Sequence, residues 1–216
     1  MAFQNCMAIE PGNLIRLGKQ DIEPAARMLA RAFRDYPLLT HSVPDFPARE
    51  RAAFYFCQFD LYYCIRYGVA YATSPQMEGV AAWITSDQYP MTMWGMLRSV
   101  PWSVIAGFGR VAGARLLGPG RYVDARHEAL VPFRHWMLAL LGVAPEFQGQ
   151  GCPSALLNPM LASIDARGLP CYVETMDARN VPRYEHFGFK VIEESIIPGT
   201  DLTSWAMLRG KPPETR

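Results

Sequence analysis

A strand, a glycine-rich loop and a helix follow one another in the second half of the chain, and this unit constrains the fold most. Residues His135–Val143 (HWMLALLGV) form an almost unbroken apolar run, typical of a central strand covered on both faces of its sheet. A polar loop, Glu146–Gly151, comes next. The following segment repeats apolar residues at helical spacing, and Pro159 inside it is expected to kink the helix. The order predicts an α/β protein. The apolar positions of that helix are Leu156, Leu157, Met160, Leu161 and Ile164.

Weaker patterns predict the remaining elements. The proline-containing segment Tyr36–Pro47 is expected to be a loop. Prolines and glycines also break up Tyr89–Pro132, so we expect an irregular helical insertion there, within one domain spanning residues 1–216. Its aromatic and methionine side chains are expected to form a small core of their own rather than to line a pocket. The predicted strands are 14–17, Val69–Thr73, Gly79–Thr85, Cys171–Thr175, Lys190–Ile196 and Thr203–Leu208, and the predicted helices are Ile22–Phe33, Phe54–Cys64 and Asn180–His186.

Composition excludes several classes of protein. The 216 residues include 21 Lys plus Arg and 20 Asp plus Glu, so the chain as a whole has no field that attracts nucleic acid or an anionic membrane. No apolar run reaches the ~20 residues of a membrane span, and Met1–Asn13 lacks the basic and apolar stretches of a secretory signal. We therefore expect a cytoplasmic protein without nucleic-acid or membrane partners.

Cysteine and histidine usage argues against disulfides and metals. The five cysteines are an odd number with no close C-x-x-C pair, as in proteins whose thiols stay reduced. The four histidines lack the spacing of a zinc site, so no metal is expected. The cysteines are Cys6, Cys57, Cys64, Cys152 and Cys171, and the histidines are His41, His127, His135 and His186.

The two loop glycines, Gly149 and Gly151, suit the binding of an anion. Glycine lets the backbone turn tightly and point several N–H groups at one spot, and the next helix adds the positive end of its dipole. A plain loop that needs glycine for its dihedral angles gives the same pattern. A dinucleotide-binding oxidoreductase is a further alternative, because Glu174 closes the next strand at the spacing of a ribose ligand. Ser154 in place of the third glycine, and the gap Ala144–Gln148 between strand and glycines, disfavour that alternative.

Three motifs together resemble a known enzyme superfamily. Val143–Gly151 reads V-x-P-x-x-Q-G-x-G, and Tyr184–Phe189 reads Y-E-x-x-G-F. Glu174–Tyr184 adds E-T-x-x-x-R-N-V-P-x-Y. The sequence resembles the GNAT superfamily of acetyl-CoA-dependent N-acetyltransferases, and within it the puromycin-N-acetyltransferase-like bacterial subgroup. The resemblance implies an α/β sandwich with a mixed, mostly antiparallel central sheet, splayed between its fourth and fifth strands, with helices on both faces.

The resemblance also implies how acetyl-CoA is held. The fourth strand would bulge at Leu141, Gly142 and Val143 and pair with the pantetheine arm, and the Val143 N–H would polarise the thioester carbonyl. Family members usually have glycine or alanine at Pro153, so one N–H is missing here, and Asp177 adds a negative charge where Asn is common. The loop implied to wrap the pyrophosphate consists of Gln148, Gly149, Gln150, Gly151, Cys152, Pro153 and Ser154.

Two residues are implied to carry the chemistry. Tyr184 would act as the general acid that protonates the leaving thiolate, with a core-packed tyrosine as the alternative. Glu174 would act as the base that takes a proton from the ammonium group of the acceptor, with a structural carboxylate as the alternative. Asn180 is a candidate ligand of the cofactor, although its position also suits a helix cap.

The resulting hypothesis is an N-acetyltransferase that moves an acetyl group from acetyl-CoA to a primary amine of a small molecule, by direct attack in a ternary complex. A non-catalytic acyl-CoA-binding regulator is the alternative, and Pro153 motivates it. The near-neutral charge argues against highly charged polypeptide acceptors such as histone tails. The sequence leaves the oligomeric state open, a dimer included.

Overall fold

One sheet of seven strands runs through the part of the chain that the computed structural model describes, residues 12–212. Its strands are β1 (Ile15–Arg16), β2 (Val69–Ala72), β3 (Gly79–Thr85), β4 (Trp136–Val143), β5 (Cys171–Thr175), β6 (Lys190–Ile196) and β7 (Thr203–Arg209). The spatial order is β1-β2-β3-β4-β5-β7-β6, and all neighbours are antiparallel except β4 and β5. The predicted fold class is confirmed, and the dinucleotide-binding alternative, which needs a mostly parallel sheet, is wrong. Cys6 lies outside the described residues, as does nearly all of Met1–Asn13.

Helices pack against both faces of this sheet. They are α1 (Ile22–Phe33), α2 (Pro37–Ser42), α3 (Phe46–Tyr67), α4 (Met93–Ser99), α5 (Trp102–Gly107), α6 (Arg110–Leu130), α7 (Cys152–Ala166) and α8 (Val181–His186). Leu29 of α1 and Leu61 of α3 share a buried cluster with one set of strand residues, which includes Tyr172. Leu157 of α7 and Tyr184 of α8 share a second cluster with the alternate set. Because strand side chains alternate between faces, the two clusters are the two layers of a sandwich.

The segment Tyr36–Pro47 is not the predicted loop. It contains α2 and the start of α3, and Pro37 and Pro47 both lie in the first turn of a helix. The first turn does not use its N–H groups within the helix, so proline is tolerated there. Asp45 caps α3, because its side chain accepts a hydrogen bond from the Ala48 N–H at 3.1 Å. Pro159 likewise lies inside a continuous α7; its kink stays a prediction.

The insertion also departs from the prediction of short helical pieces. α4 and α5 are short, but α6 runs for 21 residues and includes Pro119. Leu116, Tyr122 and Val123 of α6 pack on a buried cluster that includes Met176. Such tertiary contacts stabilise a helix whose local sequence is unfavourable. The predicted small core of aromatic and methionine side chains is wrong, since several of them are largely exposed.

The sheet opens between β4 and β5. These strands pair only from Trp136 to Leu138 on β4 and from Cys171 to Val173 on β5, and they diverge beyond that point. The predicted splay is therefore confirmed. The predicted bulge lies earlier than expected: Ala82 pairs with Leu140 and Trp83 with Leu138, so the extra residue of β4 is Ala139.

Candidate active site

The open edge of β4 presents backbone groups towards the gap. Ala144 donates its N–H to the carbonyl of Glu78 at 2.8 Å. Because hydrogen-bonding directions alternate along an antiparallel strand, Leu141 and Val143 direct their backbone groups to the opposite edge, where β5 has moved away. The side-chain amide of Gln148 reaches this edge and donates to the Val143 carbonyl at 3.3 Å. The gap is therefore lined by polar backbone.

Gly142 is glycine for reasons of packing. A Cβ at this position would lie 2.5 Å from the Leu29 side chain of α1 and 3.1 Å from that of Phe33. The helix therefore sits directly on the backbone of β4. This contact keeps the strand in place beside the gap.

The glycine-rich loop has the backbone conformation that only glycine adopts easily. Gly149 has φ 79° and Gly151 has φ 82°, and a Cβ on either would meet open space. Both residues are exposed, and α7 starts immediately after them at Cys152. The first N–H groups of α7 have no partner within the helix, so they face outward beside the loop. Pro153 lies in this first turn and donates no bond, as expected.

Glu174, near the end of β5, is held by two hydroxyl groups. The Tyr172 hydroxyl donates to its carboxylate at 2.9 Å, and the Ser204 hydroxyl donates to the other oxygen. Burial raises the pKa of Glu174 to about 6, against the lowering effect of these two bonds. A carboxylate with a pKa near neutrality is suited to exchange a proton with a substrate.

Asp124 and Glu193 are carboxylate neighbours of Glu174, and Asp124 is in turn a neighbour of Asp60. Asp124 of α6 accepts a hydrogen bond from the Tyr89 hydroxyl, and its pKa is raised by burial. Burial raises the pKa of Asp60, on α3, to about 7, and the charge of Asp124 adds to this shift. We call Asp60, Asp124 and Glu174 the carboxylate cluster. The repulsion of Asp124 with Asp60 and with Glu174, in a partly desolvated place, favours a bound cation.

Two buried histidines, His127 and His135, pack beside Tyr172, the residue that bonds Glu174. His127 and His135 approach at 2.7 Å between their Nε2 atoms, and the Nδ1 of His135 donates to the Phe133 carbonyl at 2.7 Å. That bond makes the Nε2 of His135 an acceptor, so His127 donates and its own buried Nδ1 carries a lone pair. Burial lowers the pKa of His127 to about 3, which keeps it neutral. Its ring stacks on Tyr172, with centroids 4.1 Å apart and planes at 8°.

Within residues 12–212, no group of three or more His, Cys, Asp or Glu side chains is placed to hold a metal ion. The four cysteines in that range are free thiols. The stacking role of His127 has no signal in the sequence, where the histidines suggest only a test for metal ligation, because Tyr172 lies 45 residues away along the chain.

Tyr184 lies on the other face of the sheet. Its ring packs against Phe189 with centroids 5.9 Å apart, and burial raises the pKa of its hydroxyl. The second contribution to that shift comes from Tyr36, which the sequence analysis did not single out. The Tyr36 hydroxyl accepts a hydrogen bond from the Met176 N–H at 2.9 Å, just beyond the end of β5. Glu174 and Tyr184 thus flank the same end of β5 from opposite faces.

Asn180 and Asp177 stabilise the turn that follows β5. The Asn180 side chain does not cap α8; it donates to the Thr175 hydroxyl at 3.3 Å and accepts from Arg183 at 3.0 Å. Asp177 accepts from the Arg179 N–H at 3.0 Å and pairs with the Arg179 guanidinium. The negative charge of Asp177 is therefore matched locally.

Comparison with known proteins identifies the fold. No family model matches the chain. Over 61 residues it is 43% identical to an uncharacterized N-acetyltransferase of Schizosaccharomyces pombe, a match that spans 28% of this chain and about a quarter (24%) of that relative. A Corynebacterium glutamicum structure of histone acetyltransferase HPA2 and related acetyltransferase covers 94% of this chain and 98% of its own, with TM-score 0.63 and 18% identity. The fold is that of the GNAT N-acetyltransferases.

A second similar solved structure is that of an enzyme whose amine substrate class is known. The polyamine N-acetyltransferase of Drosophila melanogaster, which forms N-acetylagmatine, has a TM-score of 0.58 and 12% identity, over 92% of this chain and 99% of its own. In this chain the open edge of β4 and the end of β5 border one gap, and the glycine-rich loop follows β4 along the sequence. The narrower resemblance, to the puromycin-N-acetyltransferase-like subgroup, stays a prediction.

Proposed function

We propose that this protein transfers an acetyl group from acetyl-CoA to a primary amine of a small molecule. The observation that carries the proposal is the position of Glu174. Its carboxylate, with a pKa raised to about 6, lies on β5 directly after Val173, the last residue of this strand that pairs with β4. A fold of this type hosts several functions, so the argument rests on this site and not on the fold.

The chain's own residues fit acetyl-CoA. The loop from Gln148 to Ser154 offers N–H groups and a helix N-terminus for the pyrophosphate. Leu141 and the N–H of Val143 direct backbone groups away from β3, where they can bond the amides of the pantetheine arm, while the Val143 carbonyl accepts from Gln148. When bound, acetyl-CoA supplies a thioester carbonyl that an amine can attack.

Each residue then has a defined part in one balanced reaction. Glu174 takes a proton from the acceptor ammonium, so that the amine nitrogen forms a bond to the acetyl carbon while the carbon–sulfur bond breaks. The Val143 N–H stabilises the negative charge that develops on the carbonyl oxygen. Tyr184 gives its proton to the leaving thiolate, and the nitrogen gives up its second proton, which restores the Tyr184 hydroxyl through solvent. Glu174 then releases its proton to solvent, so that the products are the acetylated amine, CoA and one proton.

The carboxylate cluster favours a cationic acceptor. Asp124 places a further acceptor group near Glu174, and Asp60 is in turn a neighbour of Asp124. Glu193, the other carboxylate near Glu174, forms an ion pair with Arg126. A small amine, such as the polyamine of the Drosophila enzyme or an aminonucleoside of the puromycin type, carries the charge that this surrounding attracts. A cytoplasmic location and a dimeric state stay predictions.

A test uses a panel of amines that includes agmatine, spermidine, arylalkylamines, puromycin and amino acids. We expect release of CoA thiol only when acetyl-CoA and an accepted amine are both present, and loss of that release in Glu174→Gln. Glu194→Gln is the matched control, because Glu194 is an exposed carboxylate on β6. Acetyl-CoA binding without thiol release from any amine would contradict the proposal.

That contrary outcome describes the second candidate, a non-catalytic acyl-CoA-binding regulator. Pro153 favours it, because the first turn of α7 lacks one phosphate-facing N–H. A charge-assisted hydrogen bond contributes on the order of 1.5–3 kcal/mol, so Pro153→Gly should tighten CoA binding about tenfold or more in calorimetric titration. Equal or weaker binding would show that this position does not face the pyrophosphate.

A further inference from the structure

Two short helices of the insertion carry large apolar side chains that point into solvent. Trp94 is 76% exposed, Trp102 is 73% exposed and Met93 is 68% exposed. Together with Leu97 and Arg98 they form what we call the tryptophan surface. Exposed apolar patches on a folded protein mark interaction sites, because contact with water is unfavourable for them.

The inner face of α4 packs against α3. A Cβ at Gly95 would lie 2.9 Å from the Tyr63 hydroxyl of α3, and the Thr92 side chain caps the helix by accepting from the Gly95 N–H at 3.0 Å. Trp94 is therefore carried by a formed helix whose other side is already packed. Docking through Trp94 requires no folding of this segment.

The inner face of α5 is fixed in the same way. A Cβ at Gly107 would lie 2.3 Å from the Tyr55 ring of α3, and Phe108 packs against the same ring with centroids 6.5 Å apart. Tyr55 and Tyr63 lie on one helix, so α4 and α5 lie along the same element. Trp102 and Trp94 are thus held on the outer side of one helical layer.

The charge of this segment is strongly one-sided. Between Asp87 and Asp124 the sequence has four arginines and no acidic or lysine residue. Arg98 lies one helical turn after Trp94 and is exposed beside it. The other three arginines belong to α6, so Arg98 is the charged residue of the tryptophan surface itself.

We propose that the tryptophan surface docks the protein onto an anionic lipid membrane surface. Tryptophan prefers the boundary between headgroups and acyl chains, and arginine pairs with lipid phosphates and anionic headgroups. A second copy of the chain fits less well, since a two-fold contact sets this surface against itself and residues 88–123 hold no acidic partner for Arg98. The protein lies on the membrane and does not cross it: no described helix is long and apolar enough to span one.

Co-sedimentation with vesicles tests this docking directly. Vesicles of phosphatidylcholine alone are compared with vesicles of phosphatidylcholine containing phosphatidylserine, at low and at high salt. We expect binding to the anionic vesicles to be stronger by roughly tenfold or more and to weaken with salt. Trp94→Ser/Trp102→Ser should lose most of this binding, and Arg98→Glu should weaken it severalfold. Ile196→Ser is the matched control, because Ile196 is 68% exposed on β6, outside this surface.

Several results would overturn the proposal. They are no binding to either vesicle, equal binding to both, or unchanged binding of Arg98→Glu and of the double variant. A concentration-dependent dimer that the double variant abolishes, without vesicle binding by the wild type, would assign the surface to a second copy. Acetyl transfer is not needed for any of these measurements, so they stand apart from the test of the enzyme activity.

Discussion

The two faces of β5 hold their reactive groups in different ways. On one face, Glu174 accepts hydrogen bonds from Tyr172 and Ser204 and has Asp124 as a charged neighbour. On the other face, Tyr184 packs against Phe189 within a buried apolar cluster. One group is positioned by polar bonds, and the other is positioned by packing.

Because of this difference, the pKa values of Glu174 and Tyr184 depend on different features of their surroundings. The pKa of Glu174 reflects burial offset by two hydroxyl groups, so it depends on the hydrogen bonds around it. The pKa of Tyr184 is raised by burial above all, so its proton stays bound at neutral pH. The arrangement matches a base that must be ionised and an acid that must be protonated under the same conditions.

The largest expected effect comes from removing the base. Glu174→Gln keeps the shape of the side chain but cannot take a proton, so kcat/KM should fall on the order of 10³-fold. Acetyl-CoA affinity should stay within about twofold, which calorimetric titration checks. If kcat/KM of Glu174→Gln equals that of Glu194→Gln, Glu174 has only a structural role.

Tyr184→Phe should have the next largest effect. The packing with Phe189 is kept, and only the proton donor is lost, so kcat should fall on the order of 10²-fold while CoA affinity is unchanged. Single-turnover kinetics measure the chemical step itself. An unchanged chemical rate would assign Tyr184 to packing and would make Tyr36 the next candidate donor.

The pH dependence of activity should report on Glu174 and not on Tyr184. Since Glu174 must be ionised, activity should fall as pH drops below about 6. The Ser204 hydroxyl bond lowers the Glu174 pKa, so Ser204→Ala should move this acid limb upwards by on the order of half to one pH unit. Activity at pH 8 should hardly change. A limb that stays in place in Ser204→Ala would mean that another group sets it.

The smallest expected effect is on stability. The folded pKa of about 6 lies above the ordinary value of ~4.3, so the folded state binds more protons and loses stability as pH rises between these values. Glu174→Gln should therefore raise Tm at pH 8, on the order of 2–4 °C, the shift that about 1 kcal/mol produces at this length. The gain should vanish near pH 4. A lower Tm at pH 8 would identify Glu174 as a structural carboxylate.

Local signals in the sequence predicted the strand, loop and helix around Gly149 and Gly151 correctly. The positive φ values of the two glycines and the apolar face of α7 are set by residues close together in the chain. A single sequence therefore contains enough information to predict them. The candidates Glu174 and Tyr184 came from the family resemblance. The structure places them on opposite faces of the sheet, and their catalytic roles stay predictions.

The remaining features depend on contacts between distant residues. Tyr36 reaches Met176 across 140 positions, and no spacing rule connects them. The length of α6 was missed because Pro119 and its glycines weaken the local signal, while contacts to Met176 and its neighbours decide the outcome. The exposure of Trp94 is similarly invisible in the sequence, where an aromatic residue predicts burial.

The central claim is that both faces of β5 act on one acetyl transfer. The most direct measurement follows CoA thiol and N-acetylated amine in the same reaction, by thiol titration and mass spectrometry, at pH 8. The account predicts equal amounts of both products with the wild type, and strongly slowed formation of both with Glu174→Gln and with Tyr184→Phe. Thiol release without an acetylated amine, or product formation at the wild-type rate in both variants, would contradict it.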